Sequence, residues 1–205
     1  MPHLVVLDGS LRPGTGNTAR ALDLACAVFA HEASFDRIAL AAYRGTVAEL
    51  AGSLRAADGL LVGSGTYWSS WGSPLQRFFE LMTTYEATDV FLGKPAAVIV
   101  TMDSTGGSEV AARLVATLAC FGCSTPPFGW MALSRVGVRL GEEHPEATRD
   151  VFGPADVRVL AENLVVASCA PRVQWRAWDV ERVEPSDRAW PAPDDPLQAA
   201  PDFLD

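Results

Sequence analysis

The residues best suited to chemistry lie in one run, Gly9-Ser10-Leu11-Arg12-Pro13-Gly14-Thr15-Gly16-Asn17-Thr18. The hydroxyls of Ser10, Thr15 and Thr18 and the amide of Asn17 are donors that suit phosphate oxygens. Arg12 adds a full positive charge. Gly14 and Gly16 let the backbone turn and come close to a ligand. The run follows the apolar stretch Leu4-Val5-Val6-Leu7 and precedes a helical pattern that opens at Ala19. A helix N-terminus, with its unpaired N–H groups and positive dipole end, is thereby aimed at the same anion. Neither G-x-G-x-x-G nor G-x-x-x-x-G-K-[ST] is present, which argues against a Rossmann dinucleotide site and a P-loop. The bland alternative is a capped helix start with Asn17 as N-cap, but a bare cap needs one such residue rather than five.

Two further loops carry the same kind of signal. Gly65-Thr66-Tyr67-Trp68-Ser69-Ser70-Trp71-Gly72 sets three aromatic side chains at a strand end. Aromatic surface there is costly to leave in water unless it covers something flat and apolar, an aromatic heterocycle or a second subunit. Ser73-Pro74 reads as an N-cap and first-turn pair for the next helix. The third loop, Thr101-Met102-Asp103-Ser104-Thr105-Gly106-Gly107, permits another close backbone approach ahead of a helix. Asp103 also fits a plain turn. A phosphate loop, an aromatic loop and a Gly-rich loop together describe a site for a phosphorylated flat cofactor, which points to FMN.

Other chemistries are poorly supported. His3, His31 and His144 do not cluster in sequence, which argues against a histidine metal site or a Ser-His-Asp triad. Cys120-Phe121-Gly122-Cys123 spells C-x-x-C but falls at the end of an expected helix, whereas a redox pair of the thioredoxin kind sits at a helix start. With Cys26 and Cys169, these cysteines read as buried small apolar residues. The formal net charge of −9 argues against nucleic acid and anionic membranes as partners. No apolar run is long enough to span a bilayer. Met1-Pro2-His3 lacks a signal-peptide pattern, so a cytoplasmic protein is expected.

These loops must be positioned by alternating strands and helices. Strands are expected at Leu4 to Leu7, Arg37 to Leu40, Gly59 to Ser64 and Ala96 to Thr101, with a fifth between Phe128 and Leu140. Helical spacing marks the faces Leu22/Cys26/Phe29, Val47/Leu50/Ala51/Leu54, Leu75/Phe78/Phe79/Met82, Val110/Leu114/Leu118/Phe121 and Val157/Leu160/Ala161/Leu164. Pro126-Pro127 is expected to break the fourth helix and Pro154 to open the fifth. Five such alternations predict an α/β fold, a doubly wound five-stranded parallel sheet of order 2-1-3-4-5 with helices on both faces. The ligand then lies beyond the carboxyl ends of the strands. Residues 1–169 form this domain. Residues 170–205 form an acidic tail rich in proline, with Trp175, Trp178 and Trp190, part of which is expected to pack against the domain or a second subunit.

The three loops resemble those of the NAD(P)H-dependent FMN reductase family of flavodoxin-like proteins, over roughly residues 3–169. The family's first loop is typically G-S-x-R-x-x-S-x-N, matched by Gly9, Ser10, Arg12, Thr15 and Asn17 with Thr for Ser. Its second loop often reads P-T-Y-W-G-S before a helix of the type L-K-x-F-x-[DE]. Thr66, Tyr67, Trp68 and Ser70 match, followed by Leu75 to Glu80. Its third region, G-K-P, a strand, a Gly-Gly turn and a helix, matches Gly93 to Gly122. Gly65 stands for the usual Pro and Ser69 for the usual Gly. Because serine makes a positive φ costlier, Ser69 is expected to disfavour a backbone switch near the flavin and to favour two-electron hydride chemistry.

The resemblance implies that Ser10, Arg12, Thr15, Gly16, Asn17 and Thr18 hold the FMN phosphate. It also implies that Thr66, Tyr67, Trp68, Ser69, Asp103, Ser104, Thr105, Gly106 and Gly107 line the ring. Hydride would pass from NADPH or NADH to FMN and on to a small-molecule acceptor such as a flavin or quinone, with no catalytic side chain required. A homodimer or homotetramer is implied. Two other readings stay open: an electron carrier of the flavodoxin kind without a nicotinamide site, and an interaction protein that has lost its flavin.

Overall fold

The computed structural model describes residues 1–147 and 151–177. Trp178, Trp190 and the rest of the tail lie outside them. Five parallel strands, β1 (His3–Asp8), β2 (Ser34–Ala39), β3 (Gly59–Gly65), β4 (Ala96–Met102) and β5 (Trp130–Ser134), form one sheet of order β2-β1-β3-β4-β5. This is the expected flavodoxin-like order. Among the described residues six α-helices accompany it: α1 (Asn17–Glu32), α2 (Val47–Ala56), α3 (Ser73–Met82), α4 (Gly107–Phe121), α5 (Arg135–Glu143) and α6 (Asp156–Cys169).

The alternation of side chains along each strand builds two cores. Val5, Leu7, Leu60, Val62, Val98 and Val100 face α2, α3 and α4, while Leu4, Val6, Leu61, Ala97 and Ile99 face α1 and α6. The central strands are buried on both faces, which is why they read as continuous apolar runs. The larger core holds a chain of aromatic contacts, three edge-on and one tilted, through Phe78, Phe79, Phe91 and Phe121.

Several expectations need correction. β2 begins at Ser34 rather than Arg37, because an edge strand with Ser34 and Asp36 toward water has no continuous apolar signal. β5 does lie within the stretch expected for it, at Trp130–Ser134, and α5, which was not expected, follows at once. Gly122, at φ 106°, ends α4; Pro126-Pro127 comes after the helix has already stopped. Pro154, expected near the first turn of the last helix, stands next to the N-cap Ala155 of α6. Of the four cysteines only Cys123 is buried; Cys120 and Cys169 are exposed. Burial pushes the Cys123 thiol up to about 12, so it is inert as a nucleophile. On α1 the buried stripe runs through Leu22, Ala25 and Phe29, with Cys26 only half-buried.

The first part of the tail lies against the sheet's amino end. Arg172 Nη2 donates to the Ala57 carbonyl at 2.7 Å. Trp175 sits so close to Gly93 that a Cβ there would stand 3.1 Å from its indole.

Candidate functional site

The loops after β1, β3 and β4 leave the same edge of the sheet and are drawn tightly together. Gly9 donates to the Gly63 carbonyl at 2.8 Å, and Thr66 donates to the Thr101 carbonyl at 2.8 Å. A Cβ at Gly72 would stand 2.6 Å from the Gly9 carbonyl oxygen, so only glycine allows this approach. A Cβ at Gly106 would stand 3.6 Å from both Ser69 Oγ and Thr66 Cγ2. The first, second and third loops therefore meet.

A cavity of about 480 Å³ brings together Ser10, Arg12, Thr15, Gly16, Asn17, Thr18 and Tyr67. The Tyr67 hydroxyl accepts from the Leu11 amide at 3.5 Å. Tyr67 can fold back this way because Gly65 is small: a Cβ there would stand 3.1 Å from the phenol ring. Gly65 in place of proline thus has a structural reason.

The first loop is shaped from below by a group that the sequence reading missed. The Asp8 carboxylate, wholly buried, accepts from the Ser10 amide at 3.1 Å and the Ser10 hydroxyl at 2.5 Å. Arg37 Nη2 pairs with it at 3.0 Å and offsets its charge. The hydroxyl of Ser10 is thereby used inward, and Ser10 sets the loop's shape rather than reaching into the cavity with a free donor. Thr18 is likewise engaged, through a 2.7 Å hydroxyl pair with Thr101 on β4. Arg12, Thr15, Gly16 and Asn17 are exposed. A polar residue closing an apolar strand just ahead of Gly-Ser was the signal available for Asp8.

The helix starts at the site share a feature. α1, α3 and α4 have Gly16, Gly72 and Gly106 as N-caps, residues with no side chain to cap the first turn. Asn17 and Ser73, expected as caps, instead occupy the first helical position. At the flanks, α2 is capped by the Thr46–Glu49 box and α5 by Ser134. α1 also has no acidic residue in its first turn. Its leading N–H groups and dipole end are left for an external anion.

The second loop is a two-residue hairpin turn. Tyr67 and Ser70 exchange backbone hydrogen bonds of 2.8 and 3.0 Å, and Trp68 and Ser69 between them have φ of 49° and 59°. This is the type I′ geometry that favours Asn-Gly. Ser69 adopts this left-handed conformation despite its cost to serine. Each such residue stores about 1–3 kcal/mol, held by its surroundings. The holder is Arg113 on α4, whose Nη1 donates to the Ser69 carbonyl at 2.9 Å while its guanidinium lies 4.8 Å over the Trp71 ring. Trp71 packs edge-on against Phe79 of the core, 5.9 Å between centroids, and Trp68 is fully exposed. Helical periodicity placed Arg113 on an outward face with no signal of this role. Arg113→Ala is expected to free the turn at a cost of about 1 kcal/mol. Faster amide exchange over residues 67–70 checks this, and unchanged exchange would refute it.

The third loop is held at both ends. Asp103, exposed, pairs with Arg135 at 2.5 Å, and its carbonyl accepts from Val136 N and Ser134 Oγ. It ties β4 to α5. Gly106 meets the second loop, Gly107 donates to Met102 Sδ at 3.1 Å, and Ser104 and Thr105 stay exposed.

The residues fit a bound flavin on one further observation. Thr66 Oγ1 is buried at the junction of the second and third loops without a hydrogen-bond partner. An orphaned hydroxyl costs about 1–3 kcal/mol, and the polar edge of a bound ring or its chain would satisfy it.

Comparison with known proteins agrees with this geometry. A family model described as NADPH-dependent FMN reductase matches residues 2–137. No curated protein matches the chain. Among solved structures, RosB with a bound 8-demethyl-8-formylriboflavin-5′-phosphate intermediate is similar at 16% identity and TM-score 0.67, over 82% of this chain and 79% of that one. The NADH:FMN oxidoreductase EMOB, in its apo form, is similar at 17% identity and TM-score 0.61, over 82% and 88%. FerB, the flavoenzyme NAD(P)H:(acceptor) oxidoreductase from Paracoccus denitrificans, is similar at 18% identity and TM-score 0.56, over 82% and 96%. At such identities these structures attest the fold, whereas the family model spans most of the sequence. The chain belongs to the NADPH-dependent FMN reductase family and is a flavin-binding oxidoreductase, with FMN and NAD(P)H as the implied cofactors.

Proposed function

We propose that the protein passes hydride from NADPH or NADH to bound FMN and on to a small acceptor, a flavin, a quinone or a similar molecule. The observation that carries this reading is the uncapped start of α1, set under a glycine-rich loop with Arg12 at the mouth of the 480 Å³ cavity. FMN, when bound, supplies the capacity to accept hydride and release two electrons.

The chain's own residues position and shield. Arg12, Thr15 and Asn17, with the first N–H groups of α1, hold the phosphate. Asp8 and Ser10 keep the loop in shape beneath it. Thr66 pairs with a polar group of the ring or its chain, and Tyr67 closes the first loop against the second. Trp68 offers an exposed aromatic face beside the ring, where a second subunit or substrate stacks. Ser69 and Asp103 to Gly107 form the remaining wall. No side chain is required to move a proton. A homodimer or homotetramer completes the reading, with Trp68 as a natural part of the interface. Among the described residues no helix is long and apolar enough to cross a membrane.

The test is a visible spectrum after adding FMN, repeated under anaerobic NADPH and NADH. Flavin bands that bleach with a nicotinamide support a reductase. Bands that bleach with dithionite alone turn the reading to an electron carrier, and absence of bound flavin overturns both. Arg12→Ala is expected to weaken FMN about five- to tenfold, a modest loss because the guanidinium is solvent-exposed and screened. Unchanged affinity by equilibrium titration would mean that the phosphate lies elsewhere.

A further inference from the structure

Beside the candidate cofactor cavity lies a second one, of about 330 Å³, between α1 and α5. Its walls are two helix faces of identical spacing: Asn17, Arg20, Ala21 and Leu24 on α1, and Arg135, Val138, Arg139 and Glu142 on α5. Stripes at i, i+3, i+4, i+7 ordinarily interdigitate when helices meet. Here they face each other across open space, with the ends of β4 and β5 as floor. The volume falls in the range of small-molecule pockets, about 300–1,000 Å³.

The lining describes the ligand. Arg135 is paired with Asp103, but Arg20 and Arg139 have no carboxylate partner among the described residues. Two guanidiniums on opposite walls, without a carboxylate partner among the described residues, suit one compact dianion, each donating to it in a planar fork. Leu24, Val138 and Pro154 supply apolar surface for a flat base beside that anion. Glu142, at the other end of the α5 face, repels a dianion and biases it toward the arginines. On a chain of net charge −9, this is an uncommon concentration of positive charge. The cavity adjoins the cofactor site directly. Asn17 lines both, and the Thr18–Thr101 hydroxyl pair bridges their boundary.

We propose that this cavity takes the 2′-phosphorylated adenosine end of NADPH, with Arg20 and Arg139 as the residues that favour NADPH over NADH. NADPH and NADH differ by that one phosphate, so discrimination requires cations outside the FMN phosphate site, and these two are placed there. The assignment presupposes a nicotinamide nucleotide as reductant, as proposed above.

The test uses adenosine 2′,5′-bisphosphate as probe, titrated calorimetrically into the FMN-loaded full chain, with 5′-AMP as comparison. The parent is expected to bind the bisphosphate more tightly than 5′-AMP. Arg20→Ala/Arg139→Ala is expected to weaken the bisphosphate about tenfold or more, the scale of losing charge-assisted hydrogen bonds. FMN affinity should stay unchanged in that variant, and Arg158→Ala, a remote surface arginine, should leave both titrations unchanged. In kinetics, KM for NADPH should rise while KM for NADH holds. Equal bisphosphate binding by parent and double variant, or no preference over 5′-AMP in the parent, overturns the assignment. The two readings fail separately: FMN bands that do not bleach with either nicotinamide defeat the reductase, whereas the probe titration reports on the cavity alone.

Discussion

Lys94→Met is expected to stabilise the protein at neutral pH and to erase a rise in stability that the parent shows between about pH 8 and pH 10.5. Lys94 is the only lysine and is wholly buried, its Nζ donating to the Leu54 carbonyl. Burial, with a smaller push from Arg172, brings its ammonium down to about 8 from an ordinary 10.5. Folded chains therefore release this proton near pH 8, and unfolded chains only near 10.5. Between these values the unfolded state binds more protons, so stability climbs with pH. Below pH 8 both states carry the charge and the full desolvation cost stands. Above 10.5 both are neutral and that cost is gone. The shift corresponds to about 3–4 kcal/mol. Methionine has similar shape and no charge, and Ala57 N still donates to the Leu54 carbonyl at 3.3 Å. Urea midpoints across pH read the slope. With one lysine, a single labelled Cε resonance reads the titration directly. An ordinary lysine titration, or a variant slope equal to the parent's, would refute the account.

What was legible in the sequence follows from how each segment is buried. β1, β3 and β4 announced themselves because both faces are covered and their central residues form continuous apolar runs. The faces of α2, α3 and α4 were equally plain. Edge strand β2 and helix α5 were not. β2 is half solvated, and α5 buries no residue, so Val136 and Leu140 carried no periodic core signal. The candidate site was legible in its loops and misread in its caps. Asn17 and Ser73 are good capping residues, and propensity placed the caps on them. The structure shifts each helix start back to a glycine, which leaves first-turn N–H groups without an intrachain side-chain partner. A local rule failed where the chain reserves donors for a ligand. Arg37 and Arg113 were missed for another reason. Each acts through tertiary partners far away in sequence, at separations that no local pattern encodes.

The positive-φ loop offers the cleanest separation of conformation from contact. Gly16 and Gly52 both face open space, with no heavy atom within 4 Å of an added Cβ. They differ in backbone. Gly16 has φ 121° and ψ −173°, a region essentially confined to glycine, whereas Gly52 lies inside α2. Alanine at 52 is expected to stabilise the protein by about 0.5–1 kcal/mol, since it lowers the entropy of the unfolded chain without a clash. Alanine at 16 must either hold a strained backbone, at about 1–3 kcal/mol, or change the loop. Relaxing the loop turns the first N–H groups of α1 away from the anion, so FMN affinity is expected to fall about ten- to a hundredfold. Thermal unfolding without ligand should then lose less than the parent-to-variant difference seen with saturating FMN. If Gly16→Ala binds FMN like the parent, the loop's shape is not what holds the phosphate. If Gly52→Ala also loses affinity, the effect belongs to the domain's stability rather than to the loop.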